Sequence, residues 1–475
     1  MTLDDLLTLL HGCPLVASVQ ASEGSPVDDP ETLLKLARAS TLAGVRLLRL
    51  QGARNIRAIR RGTGVPVIGL IKRTYPDSDV YITPTIWEVD EVIDEGAEVV
   101  ALDATARHRS GDALLGDLIA HAHSREALVL ADIDTVENAV AAVAAGADMV
   151  STTLGGYTSE RAATTGADLE LLRQTIAAVT VPVFAEGRYA HRWEIDAALR
   201  IGAAGVIVGG ALNDPVKQTR ALMPVRFEGD KVGAVDIGGT WLRFGTFTSD
   251  WKLIEVERTP NPPKREERLQ WIRDRIQASG VHRVGVSTGG IVDPRTGLVW
   301  KAKEYLMADH VGIVFSEETL GIPTFAIGDG HATAWGHANL PRFAGRRVAT
   351  LAIGTGLGAG FVQEGKIWAG RRGEYPRVND LPAPGGKTYE ELLGGIHITK
   401  EPTQEAEARA ILALESALKA VSDLYFPDDI VIAGSVGLSP WLAPHLHRLG
   451  AIPSPFDHDA GLYGAAAVAL FPPPL

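Results

Sequence analysis

Ionisable and small polar residues follow short apolar runs again and again in the first half of this 475-residue chain. In order these tips are Gln20, Arg49, Lys72-Arg73, Asp103, Asp132, Thr152-Thr153, Glu186-Gly187-Arg188 and Gly209-Gly210. Acids, a lysine and an arginine brought to one rim would suit general acid–base chemistry. A lysine joins in only where burial or nearby positive charge lowers its pKa, and Arg49 and Arg73 are the candidate neighbours. The plainer reading of Lys72 is a solvated rim lysine, because most lysines are exposed. Gly209-Gly210 leads into a helix whose free N–H groups could face an anion, or it is an ordinary tight turn.

The runs that carry these tips are Leu15–Val19, Val45–Leu50, Val65–Ile71, Glu98–Leu102, Ala127–Ala131, Asp148–Thr152, Val181–Ala185 and Gly205–Val208. Each is followed by a segment with helical spacing, so parallel strands with crossover helices are expected. Eight such units predict a (β/α)₈ TIM barrel, with chemistry at the carboxyl ends of the strands. A doubly wound open sheet is the alternative, but no switch-point fingerprint is present.

The stretches Ser18-Val-Gln20-Ala, Ile71-Lys72-Arg73-Thr-Tyr75-Pro76-Asp77-Ser78-Asp79-Val, Leu102-Asp103-Ala-Thr105, Ala131-Asp132-Ile, Ser151-Thr-Thr-Leu-Gly155-Gly156-Tyr157-Thr158 and Ala185-Glu186-Gly187-Arg188 stand in one order over residues 1–220. This half resembles the N-acetylmannosamine-6-phosphate 2-epimerases. The resemblance implies inversion at C2 of a 2-acetamido sugar phosphate without a cofactor. Lys72 is then the base and acid at C2, and Glu186 shuttles or orients a proton at the ring oxygen or O1. Gln20, Arg49, Asp132, Gly156, Tyr157, Arg188, Gly209 and Gly210 are the implied substrate contacts. Where the family usually reads Ala-Ile-Thr-Arg-Pro, with the arginine on phosphate, this chain has Ala211-Leu-Asn213-Asp214-Pro215. Asp214 is therefore expected to repel a phosphate dianion unless Arg188 or another cation compensates.

From Lys231 the pattern turns to β-hairpins: Val232–Ile237, a Gly-Gly-Thr turn, Trp241–Thr248 and Leu253–Arg258. A second strand–turn–strand follows at Val348–Ile353, Gly354–Gly360 and Phe361–Gln363, suggesting internal duplication with one hairpin per lobe. Glycine-rich turns let backbone N–H groups approach phosphate oxygens, and threonine adds a hydroxyl. Two facing turns, one led by Asp236, suit nucleotide phosphates gripped between lobes. Asp329, just before His331-Ala-Thr-Ala, reads on its own as a helix N-cap.

Asp236-Ile-Gly238-Gly239-Thr240-Trp-Leu-Arg243, Gly285-Val-Ser-Thr288-Gly-Gly290-Ile-Val-Asp293, Asp329-Gly-His-Ala-Thr-Ala-Trp335-Gly336, Gly354-Thr355-Gly356-Leu-Gly358-Ala-Gly360, Ala433-Gly434-Ser435-Val436 and Ala460-Gly461-Leu-Tyr-Gly464 together resemble the ROK sugar kinases, of actin-like ATPase fold. The resemblance implies Asp329 as the base on a sugar 6-hydroxyl, with ATP and Mg²⁺ near Asp236. It implies phosphate or nucleotide contacts from Gly238, Gly239, Thr240, Arg243, Gly354, Thr355, Gly356, Gly358, Gly434 and Ser435. Sugar contacts fall on Gly290, Asp329 and Glu374. The usual Asn-Asp pair is Gly328-Asp329, the usual Gly-His is Pro376-Arg377, and the Cys-x-Cys loop is missing, so no structural zinc is expected. No helix-turn-helix precedes this half, which disfavours the repressor branch.

The expected division is a barrel over 1–222, a linker over 223–230 and a kinase-like domain over 231–475. A net charge of −12 argues against a nucleic-acid partner. The single cysteine, Cys13, excludes an intrachain disulfide and suits a reducing cytoplasm. Acids at Asp4 and Asp5 do not suit a secretory leader, and no apolar run of membrane-spanning length appears; Ala460–Leu475 comes closest. Small-molecule partners, a sugar phosphate and ATP, are expected, and a homo-oligomer is compatible. The whole then reads as a bifunctional enzyme of sialic-acid or amino-sugar breakdown. It would phosphorylate N-acetylmannosamine at O6 and epimerise the product to N-acetylglucosamine 6-phosphate. The alternative is an active epimerase fused to a silent sugar-binding or regulatory module.

Overall fold

The computed structural model describes residues 1–22, 24–164, 166–223, 229–303, 307, 309–398 and 402–474. It divides into two compact units, Met1–Met223 and Pro224–Leu475. Residues 224–228 of the expected linker lie outside those described.

In the first unit eight parallel strands close into a barrel: β1 (Leu15–Val19), β2 (Leu48–Gln51), β3 (Val67–Leu70), β4 (Val99–Asp103), β5 (Leu128–Asp132), β6 (Met149–Ser151), β7 (Val183–Glu186) and β8 (Gly205–Val208), with β8 pairing back to β1. The open sheet is excluded. β3 and β7 start later than the apolar runs because Pro66 and Pro182 bring no N–H to the ladder.

Side chains alternate along each strand, so residues two apart share a face. Leu47, Ile68, Val99, Leu130, Met149, Phe184 and Ile207 form one buried cluster with Leu6 and Leu10 of the helix Leu3–Gly12. Two residues further along, that face presents Arg49, Asp132, Ser151, Glu186 and Gly209. The register sets Asp103 beside Asp132 and Asp132 beside Ser151. A polar layer therefore lies on an apolar plug. A second apolar cluster, including Leu50, Val67, Val100, Val129 and Val183, packs the outer strand faces against the helices.

The second unit repeats one design. Its strands are β9 (Lys231–Ile237), β10 (Trp241–Thr248), β11 (Leu253–Pro260), β12 (Val284–Thr288), β13 (Ile291–Val292), β14 (Val299–Lys301), β15 (Thr324–Gly328), β16 (Val348–Ile353), β17 (Leu357–Gln363), β18 (Lys366–Ile367), β19 (Asp429–Ala433) and β20 (Ile452–Pro453). One sheet runs β11-β10-β9-β12-β15 and the other β18-β17-β16-β19-β20. In each, an antiparallel hairpin (β9–β10 or β16–β17) is extended by parallel strands. This is the two-lobed actin-like arrangement.

Two helices link the lobes. Asp329–Ala338 packs on the second sheet through Gly330, where an added Cβ would stand 2.2 Å from the Ala359 carbonyl oxygen. A Cβ on Gly360 would in turn lie 2.1 Å from the Gly330 oxygen. That contact corrects the expected turn: only Gly354-Thr355-Gly356 turns, while Gly358 and Gly360 belong to β17 and Gly360 lets two backbones touch. The helix Ala460–Leu470 lies on β12, since a Gly285 Cβ would be 1.9 Å from the Ala465 oxygen. The two helices cross where Gly336 meets Gly464. The apolar carboxyl-terminal run is thus a buried core helix; among the described residues no helix is long and apolar enough to cross a membrane.

Candidate active sites

At the barrel mouth Arg49 is 1% exposed and holds Asp132 with two bonds, Nη1 to Oδ1 at 3.1 Å and Nη2 to Oδ2 at 2.6 Å. The same guanidinium lies 3.2 Å from Glu186 Oε2. The Thr153 hydroxyl stands 2.6 Å from Asp132 Oδ1 and 2.9 Å from Glu186 Oε2. The Thr152 hydroxyl receives the Glu186 N–H at 3.0 Å and donates to the Glu186 carbonyl at 2.9 Å, fixing the strand end. Burial, with Asp132 adding to it, pushes the Glu186 carboxyl up, while Arg49 opposes. Asp103 turns aside to Thr105 and Arg107.

Lys72 Nζ donates to Gln20 Oε1 at 2.9 Å, and Gln20 Nε2 donates to Ser18 Oγ at 2.8 Å. The lysine is exposed at the mouth, as the rim reading expects, yet its ammonium is held below the usual lysine range. Desolvation is the leading cause, Arg49 the next; Lys217 acts in the same sense, and Glu186 and Asp132 oppose. Arg73, an expected contributor, is instead bound to Glu88 and Glu91 on the following helix. Its charge is spent there.

The phosphate side departs from expectation. Arg188, at φ +60°, donates Nε to the Gly166 carbonyl at 3.0 Å, Nη1 to the Gly155 carbonyl at 3.0 Å and Nη2 to Thr164 Oγ1 at 3.1 Å. Its guanidinium covers the Tyr157 ring at 5.2 Å. Gly156 has φ +81°, and a Cβ there would lie 2.7 Å from Ala163 Cα. Arg188 therefore organises the loop carrying Gly156 and Tyr157, with three of its five N–H donors engaged there. Asp214 is 4% exposed and caps the helix Pro215–Leu222, accepting the Lys217 N–H at 3.0 Å and the Ser22 hydroxyl at 3.3 Å. These bonds and the Lys217 ammonium keep it ionised below the usual carboxylate range against its burial. Its charge is thus engaged by the helix cap, the Ser22 hydroxyl and the Lys217 ammonium 3.4 Å away. Gly209 and Gly210 lead into that region, with Lys217 Cδ 3.2 Å from where a Gly210 Cβ would stand.

In the second unit Asp236 accepts from Ser287 Oγ at 3.1 Å, and Arg243 Nη1 stands 3.6 Å from both Asp236 Oδ2 and Asp459 Oδ1. Burial raises the Asp236 carboxyl and Arg243 opposes. Gly461 leaves room for it, since a Cβ there would be 2.5 Å from Asp236 Oδ1. The first hairpin turn, Gly238-Gly239-Thr240, is closed by the Gly238 N–H on the Trp241 carbonyl. The second is closed by the Gly354 N–H on the Gly356 carbonyl, with Gly395 and Ile396 donating to the carbonyls of Gly354 and Thr355. The hydroxyls of Thr240 and Thr355 meet at 3.2 Å. Gly434, at φ +89°, folds the exposed Ser435 over the end of β16, with Val436 N–H bonded to the Ile353 carbonyl.

Asp329 begins its helix, but Gly328 is the cap residue and supplies no side chain, which corrects the N-cap reading. The carboxylate accepts the Gly330 N–H at 2.7 Å. Burial pushes its pKa up to about 6, and Asp236 and Glu390 add to the shift. Gly290, at φ +104°, and Gly328 approach closely: a Cβ at 328 would lie 3.0 Å from the Gly290 oxygen, a tight place for the asparagine usual there. Glu374 bends back onto the Arg372 N–H at 2.7 Å, which lowers its pKa. Asp329 instead shares its field with Glu390.

Sequence reasoning missed Glu390. It is 5% exposed, accepts Asn379 Nδ2 at 3.0 Å and is ion-paired with Lys303 from the other lobe. A signal existed: Thr388 and Glu391 form a capping box, which assigns Glu391 to structure and leaves its neighbour for other work. Tyr375 was missed too. Burial pushes its hydroxyl up, Asp329 adds to that, and its ring meets His331 edge-on at 5.9 Å.

Residues 33–223 match the NanE family model, described as "Putative N-acetylmannosamine-6-phosphate epimerase", and residues 232–378 match the model of the ROK family. A "Bifunctional enzyme NanE/NanK" of Brucella melitensis is 29% identical over 98% of this chain and 98% of its own. A "Putative N-acetylmannosamine-6-phosphate 2-epimerase" of Clostridium perfringens is 39% identical over 43% of this chain and 93% of its own. The solved structure of the N-acetylmannosamine-6-phosphate 2-epimerase from Clostridium perfringens is 38% identical, covers 46% of this chain and 94% of its own, and superposes with a TM-score of 0.45. With the strand-tip residues in place at the barrel mouth, this chain belongs, through its first unit, to the N-acetylmannosamine-6-phosphate 2-epimerase family, and joins to it a ROK-family domain.

Proposed function

We propose that the first unit converts N-acetylmannosamine 6-phosphate to N-acetylglucosamine 6-phosphate, and that the second makes its substrate by transferring the γ-phosphoryl group of ATP to O6 of N-acetylmannosamine. The observation that carries the first reaction is Lys72, whose nitrogen Gln20 fixes at the mouth, where desolvation and Arg49 disfavour its ammonium. Its amine takes the C2 proton of the ring-opened sugar, and the electron pair moves onto the C1 oxygen. Glu186, whose carboxyl burial pushes up, orients or shuttles a proton at that oxygen or the ring oxygen. The Lys72 ammonium returns the proton once the planar enolate presents its other face. Solvent deuterium incorporation at C2 tests this; its absence from the full chain given N-acetylmannosamine 6-phosphate would refute the reading.

For the second reaction, support comes from Asp329, whose pKa of about 6 suits a base for the O6 proton, and from the facing Thr240 and Thr355 turns. Mg²⁺ would be held by Asp236 together with phosphate oxygens and water, and would neutralise charge on the transferring group. Both reactions belong in the cytoplasm, where Cys13 stays reduced. One observation favours a silent module instead: Lys303 already occupies Glu390 across the cleft. ADP release with N-acetylmannosamine as acceptor decides between them, and no turnover with any hexosamine supports the module.

A further inference from the structure

A sugar phosphate brings a dianion to the barrel mouth, and most cations described there are committed. Arg49 is buried in its bonds to Asp132 and beside Glu186. Arg107 is bound to Asp103, and Arg188 holds three loop groups. Lys72 works at C2.

Lys217 differs from these. Its side chain is 64% exposed, and its nearest acid is Asp214 Oδ2 at 3.4 Å, a loose contact. Its aliphatic stem runs over Gly210, with Cδ 3.2 Å from where a Cβ would stand, so glycine at 210 is what lets the stem cross. It rises from the first turn of Pro215–Leu222, just past the Asp214 cap. The ammonium is also near enough to act on Lys72. Asp214, bonded to the Lys217 N–H and to Ser22, fixes this turn and so fixes where the stem emerges.

We infer that Lys217 is the residue that holds the phosphate of the epimerase substrate, its ammonium closing over the dianion beside Gly209-Gly210. The role rests on the reading of the first unit as acting on a 6-phosphorylated sugar. It makes Lys217 a positioning residue that selects phosphorylated over free sugar. The acid at 214 then serves the anion indirectly, by orienting the helix that carries the cation.

The test uses the full chain as wild type, K217A and K217R, with inorganic phosphate as the binding probe by calorimetry and N-acetylmannosamine 6-phosphate as substrate. The Lys217 N–H that bonds the Asp214 cap is backbone and survives the substitution, so K217A should melt close to the wild type, less only the 3.4 Å ion pair with Asp214. Phosphate affinity should fall about tenfold or more in K217A, KM should rise by a similar factor with a much smaller change in kcat, and K217R should recover most of both. Unchanged phosphate affinity and KM in K217A, or no phosphate binding by the wild type, overturns the inference. Phosphate binding that depends on Lys217 without any C2 exchange would uphold the site and refute the epimerase reading.

Discussion

The hydroxyls of Thr240 and Thr355 lie 3.2 Å apart although 115 residues separate them. Each belongs to the turn of an equivalent hairpin, one per sheet, so the internal duplication brings like to like across a cleft. Neither hydroxyl is buried, and both can turn to a phosphate oxygen that enters between them. Replacing either threonine with alanine should raise the apparent KM for ATP about tenfold, at the scale of one hydrogen bond to a charged group. Valine, which keeps the volume and loses the donor, should match alanine. Steady-state ADP release at saturating sugar measures this.

Asp329 ties activity to a stability penalty. Its folded pKa of about 6 lies above the ordinary 3.8, so the native state binds the extra proton. Its contribution to stability is greatest below about pH 4, declines as pH rises toward about 6, and stays lost above that. As a base it must be ionised, so kcat/KM for the kinase reaction should fall as pH drops through about 6. Asp329→Asn should abolish ADP release and, by removing a partly buried charge, raise the melting temperature at pH 8. A variant that melts lower at pH 8, or keeps its activity, would count against both halves of this argument.

Much of the barrel site is legible in the sequence because a strand has a two-residue period. Phe184 in the core places Glu186 at the rim, and Leu130 does the same for Asp132. What stayed hidden depends on partners far along the chain. Asp214 reads in the sequence as a bare charge after the Gly-Gly tip, and its bonds to Ser22 and the Lys217 N–H are not legible there. Arg73 looked like a neighbour of Lys72 until Glu88 and Glu91 claimed it. Gly358 and Gly360 were read as phosphate turn, but local composition cannot separate a turn glycine from one that admits another backbone, as Gly360 admits Gly330. Glu390 gains its place from Asn379 and Lys303, on segments that no spacing rule connects to it.

Lys72 and Glu186 should separate by the step each serves. Lys72→Ala should remove C2 deuterium exchange by several orders of magnitude with an unchanged circular dichroism spectrum, since its side-chain bond is to Gln20 alone among those described. Glu186→Gln keeps the shape of the mouth but loses the charge near Arg49. Because Glu186 favours the Lys72 ammonium, its neutralisation should move the acid limb of the kcat/KM profile to lower pH, together with a loss of rate of about a hundredfold. A limb that moves up would place the titration on another group.

The crossing of the two central helices in the second unit should decide whether that unit holds its cleft. A Cβ on Gly464 would stand 2.3 Å from the Ala332 carbonyl oxygen and 3.0 Å from the Thr333 nitrogen. Those atoms are backbone, so no side-chain rotation relieves the overlap, and the helices must separate. Asp329 lies one turn from the contact, on the same helix as Ala332. Gly464→Ala should therefore cost about 1–3 kcal/mol of stability in this unit and depress ADP release. Gly450→Ala, at φ +75° with nothing within 4 Å, controls for glycine loss elsewhere: it carries backbone strain without the clash. C2 exchange, which belongs to a unit with its own core, should stay at the wild-type level in both variants. Equal ADP release by the two variants would mean that the crossing tolerates a methyl group, and that the close approach of Gly336 and Gly464 does not set the geometry of the cleft.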